Sequence, residues 1–153
     1  MACNVTQEGG LVALVQQTTQ RFGKLTILVS TAGAGGVAIL AITSMAGENK
    51  NRRMASYGAS KAAANHLIRN IAFDLGPMGI RVNGIAPGAT RTAALESVLN
   101  DDIQTAMLAH TPIHRLGEPQ DMANAALFLC SSASSWVSGQ ILTVSGGGVQ
   151  ELD

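Results

Sequence analysis

Ser56-Tyr-Gly-Ala-Ser-Lys-Ala-Ala-Ala-Asn-His-Leu-Ile-Arg-Asn-Ile-Ala-Phe-Asp-Leu75, followed by Gly76-Pro77 and then by Ile80-Arg-Val-Asn-Gly-Ile-Ala86, is the stretch on which the fold turns. Its first part is rich in Ala, and Leu67, Ile68, Ile71 and Leu75 recur at helical spacing, which predicts a long helix over residues 56–75. Gly76-Pro77 ends that helix, because proline has no N–H to donate and cannot continue it. Residues 80–86 then read as a short apolar strand, and Pro87-Gly88 turns the chain after it.

The same alternation extends in both directions. Upstream, Leu11, Leu14, Val15 and Phe22 predict an amphipathic helix over residues 11–22, stopped by Gly23. Residues 25–29 and 37–42 predict strands joined by a Gly-rich turn. Downstream, residues 93–110 read as helical with a break near Asn100-Asp101-Asp102, and residues 119–130 as a helix with Pro119 in its first turn. Residues 140–145 form a last strand before Gly146-Gly147-Gly148. Strands separated by helices define an α/β chain. The expected architecture is a mostly parallel sheet with flanking helices in a single domain over residues 1–153.

Composition excludes several classes. Only 13% of the 153 residues are charged and 46% are hydrophobic, which rules out disorder as the main state. Ten Lys and Arg are balanced by ten Asp and Glu with no basic run, so no nucleic-acid partner is expected. Aromatics at 3% are too few for base-stacking platforms. Cys3 and Cys130 provide no disulfide framework, which suits a reduced, cytoplasmic setting. Residues 25–47 carry no charge over a length that would span a bilayer. Ser30, Thr31, Gly33, Gly35, Gly36, Thr43 and Ser44 interrupt the window, so it reads as two buried strands and no membrane partner is expected.

Chemistry concentrates at Ser44, Tyr57 and Lys61. Tyr57 and Lys61 lie four apart and therefore project from one face of the predicted helix. Ser44 closes the preceding strand, where parallel α/β sheets place their sites. A Tyr is a weak base unless a neighbouring cation favours the phenolate. With Lys61 beside it, Tyr57 is equipped to exchange a proton with an alcohol, and Ser44 to hydrogen-bond the same oxygen. Taken alone, a Tyr with a Lys one turn on is also an ordinary helix pair. His110 and His114 are separated by Pro112, and no metal site is expected there. His66 reads as a packing or interface residue and Trp136 as a core or interface anchor. Asp101-Asp102 reads as a cap or solvated loop, and Arg52-Arg53 as a solvated loop with the alternative of meeting an anionic substrate tail.

Ser44, thirteen residues on Tyr57, and then Ser60-Lys61 in Tyr-Gly-Ala-Ser-Lys together resemble the catalytic signature of short-chain dehydrogenases/reductases. Ile80-Arg-Val-Asn-Gly-Ile-Ala-Pro-Gly88, Arg115-Leu-Gly-Glu-Pro119 and Ser138-Gly-Gln-Ile-Leu-Thr-Val-Ser-Gly-Gly147 resemble the later landmarks of that family, in order. Ile42-Thr-Ser-Met-Ala46 with Glu48-Asn-Lys-Asn51, and Ala125-Ala-Leu-Phe-Leu-Cys130 with Ser135-Trp-Val-Ser-Gly139, are similar to its bacterial hydroxysteroid-oxidising members. The resemblance implies Tyr57 as base, Lys61 as holder of the nicotinamide ribose and Ser44 as the residue orienting the substrate oxygen. It also implies that Pro87, Gly88 and Thr92 line the nicotinamide, and that Asn4 and Gly33 stand where the cofactor is otherwise met. NAD is the implied cofactor, with NADP also compatible, and a steroid or bile acid the implied substrate. The fold that the resemblance implies is α/β, an incomplete doubly wound (Rossmann-like), mostly parallel sheet with flanking helices in one truncated domain over residues 1–153.

The departures carry expectations too. The family's Gly-rich phosphate-binding turn after a first strand is not matched, so weak cofactor binding is expected. The family's Asn-Asn-Ala-Gly is here Ser30-Thr-Ala-Gly33, and its adenine-contacting Asp is Asn4. The helix expected between residues 25–29 and 37–42 is missing. A parallel crossover needs about a dozen residues or more, so these strands must pair as an antiparallel hairpin, separate, or swap between chains. Two functions are therefore in play: an oxidoreductase acting on a secondary alcohol or ketone, and a catalytically silent folding or oligomer-forming module. A homo-oligomer is expected either way, because Leu67, Ile71 and Leu75 lack the neighbour that the missing helix would supply.

Overall fold

In the computed structural model, residues 27–30, 37–50 and 52–148 are described. The chain runs β1 (Ile27–Ser30), β2 (Ala38–Ile42), a 3₁₀ turn (Met45–Gly47), α1 (Ala55–Leu75), β3 (Arg81–Pro87), α2 (Ala93–Glu96), α3 (Asp101–Leu108), α4 (Pro119–Cys130) and β4 (Ile141–Val144). The expected helix over residues 11–22, Cys3, Asn4 and Gly33 lie outside the described residues.

The four strands form one sheet in the order β1-β2-β3-β4. β2, β3 and β4 are parallel, with Leu40 opposite Asn83 and Ile85 opposite Leu142. β1 instead runs antiparallel to β2, with Leu28 opposite Leu40. The cause is length: residues 31–37 join the two strands, too few for a crossover but enough for a reversal. Of the three arrangements left open by the sequence, the structure adopts the hairpin.

Side chains alternate across the sheet and build a core on each face. Leu40 and Ile85 pack against Leu129 of α4, with Met122, Ala125 and Val144 around them. On the other face Val82 packs against Ile68 and Ala72 of α1, with Ile39, Ala41 and Ile141 around them. Gly84 lets α1 approach: a Cβ there would stand 2.8 Å from Ile141 Cδ1 and 2.9 Å from Ile68 Cδ1. α1 ends in a 3₁₀ turn over Gly76–Met78 and a left-handed Gly79 with φ 72°.

Two polar residues on β3 are buried. Arg81 donates from Nη1 to Leu129 O at 2.8 Å and to Ser134 Oγ at 2.9 Å, at the C-terminal end of α4. Asn83 donates to Val137 O at 2.9 Å and accepts from Gln140 N at 3.0 Å, which clamps the approach to β4. The helical region expected over residues 93–110 is two helices, with Asn100 capping α3 by accepting from Ile103 N at 2.8 Å. Asp101 and Asp102 stand in the first turn rather than at the cap. Trp136 is not a core anchor: it is 99% exposed. The preceding turn, over Ser132–Ser134, is held instead by Ser134, which accepts from Arg81 Nη1 at 2.9 Å and donates to Leu129 O at 2.9 Å. His66 is also exposed on α1 and packs into neither core.

Candidate active site

Ser44 and Tyr57 meet in the wall of one cavity of about 500 Å³, together with Pro87, Gly88, Met107 and His110. Local structure explains the meeting. Thr43 is buried, and its backbone N–H and Oγ1 both bond Ile85 O, at 2.7 Å and 3.2 Å. The end of β2 is thereby tied to β3. Ser44 then caps the 3₁₀ turn by accepting from Ala46 N at 3.2 Å. α1 starts against that turn, because Gly58 has no side chain: a Cβ there would lie 2.8 Å from Ala46 O. Tyr57, in the first turn of α1, is thus brought to the C-terminal ends of two parallel strands, where such sheets carry their ligands.

Lys61 sits one turn further on, its Nζ 5.5 Å from the centroid of the Tyr57 ring. That is a cation–π distance, and it sets a positive charge beside the phenol. Lys61 does not line the Ser44 cavity. It lines an adjoining groove of about 370 Å³ with Tyr57, Ser60, Thr43, Leu67 and Ile71. Tyr57 is common to both spaces and stands between them.

The rest of the cavity wall is also held by named bonds. Asn49 Nδ2 donates to Gly148 O at 3.1 Å, and Gly88 N donates to Val144 O at 3.0 Å. Gly117 N donates to Ala89 O at 2.9 Å and Arg91 N to Gly117 O at 2.7 Å, so Arg115-Leu-Gly-Glu-Pro119 braces the segment after Gly88. Arg115 makes a two-pronged bond to Asp121, at 2.7 Å and 3.0 Å. Asp121 also accepts from Glu118 N at 2.8 Å. These bonds hold the Asp121 carboxyl down to about 2.

Of the residues expected at the site, the structure brings Ser44, Tyr57, Pro87 and Gly88 to the cavity and Lys61 to the far side of the Tyr57 ring. Thr92 is not in that wall. It is exposed and caps α2, accepting from Leu95 N at 3.2 Å. Asn4 and Gly33 lie outside the described residues. Arg81 was not foreseen, although a lone charge inside an apolar strand is the signal that marks it. Among the described residues no group of three metal-ligating side chains occurs and no helix is long and apolar enough to cross a membrane.

A mostly parallel sheet between helices, with Ser44 after one strand and Tyr57 and Lys61 on the helix that follows, defines a class, and the comparisons agree. A family model described as enoyl-(acyl carrier protein) reductase matches residues 34–148. The chain belongs to the short-chain dehydrogenase/reductase family of oxidoreductases. It is 52% identical over 189 residues to the 7alpha-hydroxysteroid dehydrogenase of Escherichia coli K12, covering 99% of this chain and 74% of that protein. That alignment is longer than the 153 residues of this chain, so the relative has residues for which this chain has no counterpart. A 3alpha-hydroxysteroid dehydrogenase of Mediterraneibacter gnavus is 43% identical over 112 residues, covering 73% of this chain and 44% of that protein. Among solved structures, a 7 alpha-hydroxysteroid dehydrogenase complexed with NADH and 7-oxo glycochenodeoxycholic acid matches with a TM-score of 0.72. It is 52% identical, over 100% of this chain and 75% of that one.

Proposed function

We propose that the chain catalyses reversible hydride transfer between a nicotinamide cofactor, NAD by similarity, and a secondary alcohol or ketone on a hydroxysteroid or bile acid. The observation that carries this reading is the placement of Ser44 and Tyr57 in one cavity wall with the Lys61 ammonium over the Tyr57 ring. The similar structure that binds NADH and a 7-oxo bile acid supplies the substrate class.

The described residues fit the nicotinamide end of such a cofactor. Tyr57 and Lys61 offer donors beside the strand ends, and Pro87 and Gly88 offer an uncharged wall. When bound, the cofactor supplies the hydride acceptor or donor. In the oxidising direction Tyr57 Oη takes the hydroxyl proton as the carbinol carbon gives up hydride, leaving a ketone. Lys61 sets its positive charge beside the Tyr57 ring while the proton is exchanged. Ser44 Oγ hydrogen-bonds the substrate oxygen and holds it within reach of Tyr57. Met45, Met54 and Met107 furnish a deformable apolar wall for a fused-ring body.

The test is nicotinamide absorbance in the presence of a 7-oxo bile acid, with Tyr57→Phe as the variant. Loss of the proton-transfer group should lower turnover by about 10²–10⁴-fold. Turnover that survives Tyr57→Phe unchanged refutes the assignment. A folded chain with no turnover at all favours the second reading, a silent oligomer-forming module. We also propose a homo-oligomer: of the three residues expected to lack a neighbour, Ile71 and Leu75 pack against the Val82 core, but Leu67 is 56% exposed and Phe73, also on α1, 85% exposed, and self-association would cover them.

A further inference from the structure

The proposed reaction uses Ser44, Tyr57 and Lys61, and leaves another part of the cavity wall unexplained. Arg52 and Met54 line the Ser44–Tyr57 cavity. They also line an adjoining open groove that contains Lys50, Ala55 and Gly58. With Ala46 and Asn49, which also line both spaces, the two residues form the sill between the reaction cavity and the groove. Arg53, between them, lines neither space and is held in the left-handed region at φ 62°, which side-chain-bearing residues rarely adopt.

The charges along this path have one sign. Among the described lining residues, the cavity contains Arg52 and no carboxylate, and the groove contains Lys50 and Arg52 and no carboxylate. The described salt bridges use Arg91 and Arg115, and Arg52 takes part in none of them. An apolar, Met-lined cavity that opens over an arginine suits a ligand with an apolar body and an anionic tail. Its reacting oxygen would lie against Tyr57 and its acid group against the sill.

Resting on the reading of the chain as a sterol-type dehydrogenase, we propose that Arg52 is its specificity residue for acidic substrates. It pairs with the carboxylate that a sterol acid carries on its side chain, remote from the carbon that reacts. An arginine fork matches a carboxylate with two parallel hydrogen bonds. Exposure to water limits the gain to about two- to fivefold in affinity and makes it weaken with salt.

The experiment is calorimetric titration of the full chain with 7-oxo glycochenodeoxycholic acid and with its methyl ester, for the wild type, Arg52→Gln and Arg53→Gln. The wild type should bind the acid about two- to fivefold more tightly than the ester. Arg52→Gln should lose that preference by weakening the acid alone, its unchanged ester binding showing that the cavity is intact. Arg53→Gln should keep the preference. A preference that survives Arg52→Gln, or that falls equally in Arg53→Gln, overturns the assignment. Equal binding of acid and ester by the wild type overturns it too and leaves the dehydrogenase reading standing. Binding of neither ligand overturns both.

Discussion

Replacing Arg81 with Met tests the account of how β3 is held beneath the site. Arg81 is 6% exposed, and its charge faces the C-terminal end of α4 rather than a carboxylate. Nη1 donates to Leu129 O and Ser134 Oγ at 2.8 Å and 2.9 Å, Nη2 donates to Ser131 O at 3.3 Å, and the buried Nε has no partner. The carbonyl end of a helix carries partial negative charge, which favours a cation there. Each of the two short charged bonds is worth about 1.5–3 kcal/mol. The cost of keeping an ion dry offsets part of that sum. Met retains most of the apolar stem and removes the charge, and Ser134 Oγ still donates to Leu129 O at 2.9 Å. The expected net loss is about 2–4 kcal/mol, a large share of the 5–15 kcal/mol of a small domain. Urea unfolding followed by circular dichroism should show a lower midpoint at unchanged slope. A change below about 0.5 kcal/mol would mean that the buried charge is no more than tolerated, and would refute the reasoning.

Two further outcomes follow from exposed features. Leu67→Asp should shift the chain toward monomer in light scattering while leaving its circular dichroism unchanged; an unaltered mass would place the association surface elsewhere. Asp121 titrates at about 2 in the folded chain against an ordinary value of 3.8, chiefly because Arg115 and Glu118 N hydrogen-bond its carboxylate. The folded value is the lower one, so its stabilisation is present above about 3.8 and is lost as the pH falls toward 2. Asp121→Asn should remove that part of the acid sensitivity in a pH-resolved unfolding series, and an unchanged acid limb would sink the assignment.

Much of the architecture was legible because it rests on local chemistry. The helix over Ala55–Leu75 follows from Ala content and the spacing of Ile68 and Ala72, and its end from Gly76-Pro77. The helix over Pro119–Cys130 lies where its proline and apolar residues put it. Tyr57 and Lys61 share a face because they are four apart in a helix, and Ser44 follows a strand because the apolar run stops at Ile42. Trp136 shows the limit of such reading. A large aromatic predicts burial on average, yet whether a neighbour covers it depends on residues far away in sequence.

The sequence by itself therefore determined the alternation of elements, the family and the identity of Ser44, Tyr57 and Lys61, since motif and periodicity act over a few residues. Tertiary structure alone decided that β1 pairs antiparallel with β2, one of three outcomes that the short connection allowed. It also decided that Arg81 spends its charge on the end of α4, and that Tyr57 divides the cavity holding Ser44 from the groove holding Lys61. Each of these depends on which surfaces meet. The bond between Arg81 and Leu129, and the cavity wall that Tyr57 and Gly88 share, join positions tens of residues apart, where the spacing of side chains along the chain carries no information about their distance in space.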